Sequence, residues 1–206
     1  MSLKHLARVL SKVEDFKEPK IDLEQYLTDS GVAAELLWSM NMRGNIEGKT
    51  ILDLGAGTGI LGIGALLLGA KRVVFLEKDE VALKILKDNL ALIGEEYELP
   101  DFEVVLGDVS SSSGSFDLVI MNPPFGTKTK HMDTLFLEKA ISLSNKILSI
   151  HKSSTKEYVL DFFNVNNFEV VEVFDFDYVL KKTFTHHDAS KKIIDVSGFF
   201  AIKMGG

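Results

Sequence analysis

Thr50-Ile51-Leu52-Asp53-Leu54-Gly55-Ala56-Gly57-Thr58-Gly59-Ile60 is the stretch from which the rest of the chain can be read. A short apolar run, Thr50 to Leu54, ends in glycines at every second position and opens into Ile60 to Leu68, which reads as a helix ending at Gly69. Strand, glycine turn and helix in this order begin a strand–helix–strand unit. Open α/β sheets bind ligands at such turns, beyond the carboxyl ends of their strands. Glycine permits the sharp turn and lets a ligand touch the main chain. The dinucleotide fingerprint needs glycine at its first, third and sixth positions. Counted from Gly55, the sixth position is Ile60, so that reading fails. Asp53 is a second departure, because a carboxylate there suits a cationic or amine-bearing ligand rather than a pyrophosphate.

The alternation continues outward. Arg72 to Leu76 is a second apolar run, ending at Glu77. Asp79 can cap a helix whose apolar positions Ala82, Ile85, Leu86, Leu90 and Ile93 recur at helical spacing. Phe102 to Leu106 and Phe116 to Met121 read as strands, Phe136 to Asn145 as a helix, and Ile147 to His151 as a fifth strand. Thr155 starts a helix with Tyr158, Val159, Phe162 and Phe163 on one side, and Phe168 to Phe176 and Val196 to Ile202 close the sheet. Ser110 to Ser115 is a serine-rich turn. Upstream, Met1 to Lys12, with Leu3, Leu6, Ala7 and Leu10 on one stripe, and Ser30 to Met40, capped by Asp29 or Ser30, read as helices around a polar, aromatic loop. Strands apolar on both faces need helices on both sides, and repeated strand–helix units make a parallel sheet. The expected fold is therefore α/β: a doubly wound, mostly parallel, seven-stranded Rossmann-like sheet with helices on both faces and a short N-terminal helical extension. With 206 residues, one domain is expected over 1–206, comprising the N-terminal segment 1–45 and the core 46–206.

Composition narrows the function classes. No run of eighteen apolar residues marks a membrane span, and the charged N-terminus lacks the apolar block of a secretory signal. With no cysteine there is no disulfide and no thiolate metal site, and a cytoplasmic enzyme is expected. The adjacent His186 and His187 point apart on most backbones and lack a third ligand, so a solvated loop is expected there and no metal. A net charge of −7 argues against tight, sequence-independent binding to bare nucleic acid. Acting on RNA would require a local basic face or a docking partner.

The glycine spacing resembles motif I of class I methyltransferases, whose loop holds the amino-acid end of S-adenosylmethionine. Glu77, at the end of the second strand, can then accept both ribose hydroxyls, since two carboxylate oxygens match two vicinal donors. Asp108, after the third strand, is placed to accept from the adenine amino group, with Val109 beside it.

Asn122-Pro123-Pro124-Phe125 follows the fourth strand directly. Consecutive prolines have fixed φ and no N–H, so their carbonyls are free and rigidly aimed. Asn122 adds a side-chain acceptor and Phe125 a flat apolar face. An exocyclic amine is a poor nucleophile because its lone pair is delocalised into the ring. Two acceptors on its N–H groups can hold it and raise its electron density, while Phe125 stacks the base and fixes the line of attack. A base inside a duplex cannot reach such a pocket and must be unpaired or flipped. The motif alone leaves adenine N6, guanine N2, cytosine N4 and a protein glutamine amide open. A cofactor-binding scaffold without activity is the alternative of another class.

Longer blocks narrow the resemblance. Lys20 to Thr28 with Glu24-Gln25-Tyr26, the loop Asp53 to Gly59, Ile120 to Lys128, and Ser149-Ile150-His151-Lys152-Ser153-Ser154-Thr155 are together similar to the methyltransferase-like protein five family of ribosomal RNA adenine-N6 methyltransferases and its archaeal relatives. The resemblance implies that Gln25 and Thr28 close over the cofactor. It also implies Gly55, Thr58, Ile60, Glu77, Asp108 and Val109 as cofactor contacts, beside Asp53, Gly57 and Gly59 of the loop, and Asn122 to Phe125 as the catalytic segment. It implies a small-subunit ribosomal RNA substrate and a small zinc-binding activator protein that adds to the sheet edge. Leu27 stands where the family often has Pro. Phe184-Thr185-His186-His187-Asp188 replaces an aromatic-His-basic cluster, with Phe184 at the position of an RNA contact. Lys128, Lys130, His131 and Lys152 are either a basic rim for phosphates or scattered surface charges.

Overall fold

The computed structural model describes residues 1–16, 28–124, 132–180 and 192–205. Helix α1 (Leu3–Leu10) starts where the Ser2 side chain accepts from the His5 N–H, and α2 (Ser30–Met42) where Asp29 accepts from the N–H groups of Gly31 and Val32. Asp29 is thus the cap, satisfying donors that the first helical turn leaves open. In α1 the buried residues are Leu6, Val9 and Leu10, while Leu3 is exposed, so Val9 replaces Leu3 on the expected stripe.

The core then alternates as β1 (Thr50–Leu54), α3 (Ile60–Leu67), β2 (Arg72–Glu77), α4 (Glu80–Gly94), β3 (Asp101–Leu106), β4 (Leu118–Met121), α5 (Met132–Leu143), β5 (Lys146–Lys152), α6 (Lys156–Val165), β6 (Phe168–Leu180) and β7 (Lys192–Lys203). The strands form one seven-stranded sheet in the order β3-β2-β1-β4-β5-β7-β6. Neighbours from β3 to β5 are parallel, and β7 runs antiparallel to both β5 and β6. Strand order reverses between β1 and β4, the position where open sheets form a crevice.

Two apolar cores flank the sheet. One joins Leu6, Leu10, Leu36 and Leu37 to Ile51, Ile63 and Phe75, so α1 and α2 share a core with the sheet. The other gathers Met121, Leu137, Val159, Phe163 and Phe199 under α5 and α6. Close contact is built in at Gly198, where a Cβ would lie 2.6 Å from Leu36 Cδ2, which lets α2 settle on β7.

Several boundaries differ from expectation, most by one or two residues; β4 begins at Leu118, with Phe116 left as an isolated bridge to Ser144. Helix α5 begins at Met132 rather than Phe136; Asp133 in its first turn favours the positive helix end. The β6–β7 hairpin extends to Leu180 and back from Lys192, because the ladder continues through Tyr178 opposite Ile194 and Val179 opposite Ile193, residue types that favour strands. Among the described residues no helix is long and apolar enough to cross a membrane.

Candidate active site

The carboxyl ends of β3, β2, β1 and β4 deliver Asp108, Glu77, Asp53 and Asn122 to one side of the sheet. With neighbouring strands ~4.8 Å apart, these four ends span roughly 14 Å. A single cleft runs along them. It is lined by Thr28, Asp53, Gly55 to Thr58, Ile60, Glu77, Asp108, Val109 and Asn122 to Pro124, together with Phe16, Met132 and Phe136.

The glycine loop forms its floor. Gly55, Gly57 and Gly59 have φ of 74°, 55° and 91°, which explains why the glycines recur at every second position. The N–H groups of Gly55 and Ala56 donate to the Leu76 carbonyl at 2.8 and 2.9 Å. The Gly57 N–H donates to Glu77 Oε2 at 2.9 Å, while Glu77 Oε1 accepts from the N–H groups of Lys78 and Asp79. Glu77 therefore braces the loop as well as facing the cleft. A Cβ on Gly55 would stand 2.6 Å from Phe136 Cε1, so α5 reaches the loop only because that side chain is missing. Gly59 is not among the lining residues. It starts α3, and a Cβ there would meet Leu86.

Asp53 is only 1% exposed, and its Oδ2 accepts from the Gly62 N–H at 2.8 Å. Its first task is thus to satisfy a donor in the opening turn of α3, a role that spacing alone did not reveal. Burial pushes its carboxyl up to about 7; the Gly62 N–H opposes this and the Glu77 charge adds to it. Asp108 behaves oppositely. The Ser110 N–H and hydroxyl both donate to its Oδ1, at 3.0 and 2.7 Å, and hold its pKa below the usual carboxylate range. Three carboxyl groups therefore line the cleft, with Asp108 held ionised and Asp53 poised near neutrality, where a cationic ligand would favour its charged form.

At the other end, Asn122 Nδ2 donates to Thr28 Oγ1 at 2.9 Å. Asn122 Oδ1 is buried and has no partner among the described residues. An unpaired buried acceptor costs about 1–3 kcal/mol, so such an atom calls for an explanation. Because Asn122 lines the cleft, an N–H donor bound there would satisfy it. Pro123 and Pro124 line the cleft beside it.

Gln25, Phe125, Lys128, Lys130, His131, Phe184, His186 and His187 lie outside the described residues. Lys152 ends β5 and is half-buried, away from the cleft lining. Phe16 and Asn89 escaped the sequence reading. Asn89 left one sign: it is a polar residue on the buried stripe of α4, among Leu86, Leu90 and Ile93. Among the described residues no cluster of His, Cys, Asp and Glu could hold a metal.

The family model described as Conserved hypothetical protein 95 matches residues 32–172. A zebrafish (Danio rerio) rRNA N(6)-adenosine-methyltransferase, METTL5, is 39% identical over 203 residues, covering 95% of each chain. The Drosophila melanogaster protein of the same description is 42% identical over 167 residues, covering 77% of this chain and 76% of its own. Among solved structures, Pyrococcus horikoshii PH1948 superposes with a TM-score of 0.87 at 41% identity, covering 98% of both chains.

Proposed function

We propose that this chain, which belongs to the METTL5 family of rRNA N(6)-adenosine-methyltransferases, transfers a methyl group from S-adenosylmethionine to N6 of an unpaired adenine in ribosomal RNA. The observation that carries the reading is the partnerless Asn122 Oδ1 at the end of a cleft lined by three carboxylates.

The residues present fit the donor. Gly55 to Thr58 and Asp53 would hold its amino-acid end, Glu77 would accept its ribose hydroxyls, and Asp108 would accept from its adenine amino group. Thr28, Ile60 and Val109 wall the cleft, and Gln25 completes the set. Bound there, the donor supplies a methyl group already activated by a cationic sulfur.

The chain's own work is to present the amine. Thr28 accepts from Asn122 Nδ2 and so turns the amide with its carbonyl as the open acceptor. That carbonyl takes one N–H of the adenine amine, and a carbonyl of the Pro123-Pro124 pair takes the other. Both bonds draw the N–H electrons toward nitrogen and hold its lone pair in line. Phe125 stacks the base. No strong base is needed, because the surplus proton leaves to solvent after transfer.

In this reading residues 1–45 and 46–206 act as one domain, with the N-terminal segment closing over the donor; the core shared by α1, α2 and the sheet supports it. The substrate is small-subunit ribosomal RNA in the cytoplasm, with Lys128, Lys152 and Phe184 as RNA contacts. A small zinc-binding activator protein adds to β3. That strand is a sheet edge, exposes Phe102 and Leu106, and borders a groove lined by Leu52, Val74, Val105 and Phe116.

The test is incubation with isotopically labelled donor and ribosomal RNA, followed by nucleoside mass spectrometry. N6-methyladenosine should form, and Asn122→Ala should lower kcat by ~10²-fold or more, the scale of losing an aimed polar group at the reacting centre. Label in guanine N2 or in protein glutamine would reassign the acceptor, and an Asn122→Ala enzyme of unchanged turnover would defeat the mechanism.

A further inference from the structure

Asn89 is 1% exposed, and every polar atom of its amide is engaged with main chain. Its Oδ1 accepts from the Glu14 N–H at 2.8 Å, and its Nδ2 donates to the Glu14 carbonyl at 3.0 Å. The same Nδ2 donates to the Thr58 carbonyl, also at 3.0 Å. One side chain thus ties the N-terminal stretch to the glycine loop. Residues 14–16 belong to no helix or strand, so the pair of bonds to Glu14 imitates the ladder that a neighbouring strand would supply. Two residues on, Phe16 lies over the loop. Its Cζ is 3.2 Å from where a Cβ on Gly57 would stand, and the half-buried ring lines the cleft.

We propose that Phe16 is a wall of the methyl-donor site and that Asn89 is the positioning residue that holds this wall and the glycine loop in register. The inference rests on reading the cleft as the donor site. Gly57 is also the residue whose N–H meets Glu77, so the ring covers the loop where the ribose-binding carboxylate is braced. A flat apolar ring there removes water from that hydrogen bond and gives the donor a surface to pack on. Asn89 acts at a distance: its bond to Thr58 sets the loop, and its bonds to Glu14 set the approach of Phe16. Both effects fall on donor binding and leave the amine-holding end of the cleft untouched.

The test is calorimetric titration of the full chain with S-adenosylmethionine and with S-adenosylhomocysteine, paired with kcat on ribosomal RNA at saturating donor. Phe16→Ala should raise Kd about tenfold or more for both ligands, which is ~1.4 kcal/mol. Its kcat should stay within about threefold, and Phe16→Tyr should recover most of the affinity. Asn89→Asp keeps the acceptor for the Glu14 N–H but loses both donated bonds; it should show the same pattern of raised Kd and preserved kcat. A purely structural Asn89 would instead lower the melting temperature with an unaltered Kd, and that result would overturn its role. Phe16 is half-buried, so Phe16→Ala remains foldable, and equal donor affinity in Phe16→Ala and wild type would sink the proposal. If the wild-type chain binds neither ligand, the reading of the cleft itself fails and this inference falls with it.

Discussion

Replacing His151 by Leu should give the donor-free protein a stability that declines with rising pH across a range where the wild type is nearly flat. His151 is 1% exposed and edge-on to Phe199, and its Nε2 has no partner among the described residues. Burial pushes its pKa down to about 3. An unfolded chain protonates histidine near 6.5, so between about pH 3 and 6.5 the unfolded state holds a proton that the folded state lacks. His151 alone therefore makes stability fall as the medium becomes more acidic. Asp53 works the other way. With its folded pKa raised to about 7 from an unfolded value near 4, the folded state holds the extra proton, and stability falls as pH rises through that window.

Each group contributes a slope of ~1.4 kcal/mol per pH unit, opposite in sign, so between about pH 4.5 and 6.5 the two offset one another. His151→Leu removes one slope. Its stability relative to wild type should be roughly 2 kcal/mol higher at pH 5 than at pH 7.5, from about 1.5 pH units below 6.5. Asp53→Asn should show the reverse, gaining roughly 3 kcal/mol on wild type between pH 5 and 7.5. Urea unfolding at pH 5, 6 and 7.5 measures this. Subtracting wild type at each pH cancels the other carboxylates and any constant packing change. A difference that stays level within ~0.5 kcal/mol over that range would show that neither group is held in the protonation state its burial imposes.

Two other substitutions separate parts of the site. Thr28→Val keeps the shape but removes the acceptor for Asn122 Nδ2; kcat should fall about tenfold, the size of one lost hydrogen bond, and unchanged turnover would mean that the amide is oriented by other contacts. Leu106→Glu on exposed β3 should leave folding and donor binding intact while lowering affinity for the proposed zinc-binding partner at least tenfold in a pull-down or calorimetric assay, and a complex of unchanged strength would remove this edge from the proposed interface.

The alternation of strands and helices was legible because apolar runs and glycine turns are local signals. Asp53, Glu77 and Asp108 were found because each stands at or just past the end of an apolar run, and the structure brings all three into one cleft. Their hydrogen bonds were not legible. Nothing in the spacing says that Asp53 accepts from Gly62 or that Glu77 accepts from Gly57, because those contacts depend on how tightly the turn closes. Gly59 follows the alternating pattern yet serves the helix start and the packing of Leu86 instead of the cleft. Phe16 was missed for a related reason. No periodicity surrounds it, and its place over Gly57 follows from an amide contributed by Asn89, far along the chain.

Buried polar atoms show where this fold is held and where it acts. Asn89 and Asp53 are 1% exposed and bonded to main chain, so breaking either contact leaves orphaned groups on both sides. Asn122 Oδ1, Ser149 Oγ and His151 Nε2 are buried without partners among the described residues. Of these three residues, only Asn122 borders the cleft. Ser149 and His151 stand on β5 outside the lining, and their unpaired atoms weaken the folded state whether or not a ligand is present. For Asn122 that cost ends when an N–H donor arrives. A substrate amine therefore gains both its own hydrogen bond and relief of an existing penalty, whereas a ligand lacking the N–H gains neither. If Asn122 takes the substrate amine as proposed, selection for an amine over an isosteric group without donors is built into the folded protein before any RNA binds.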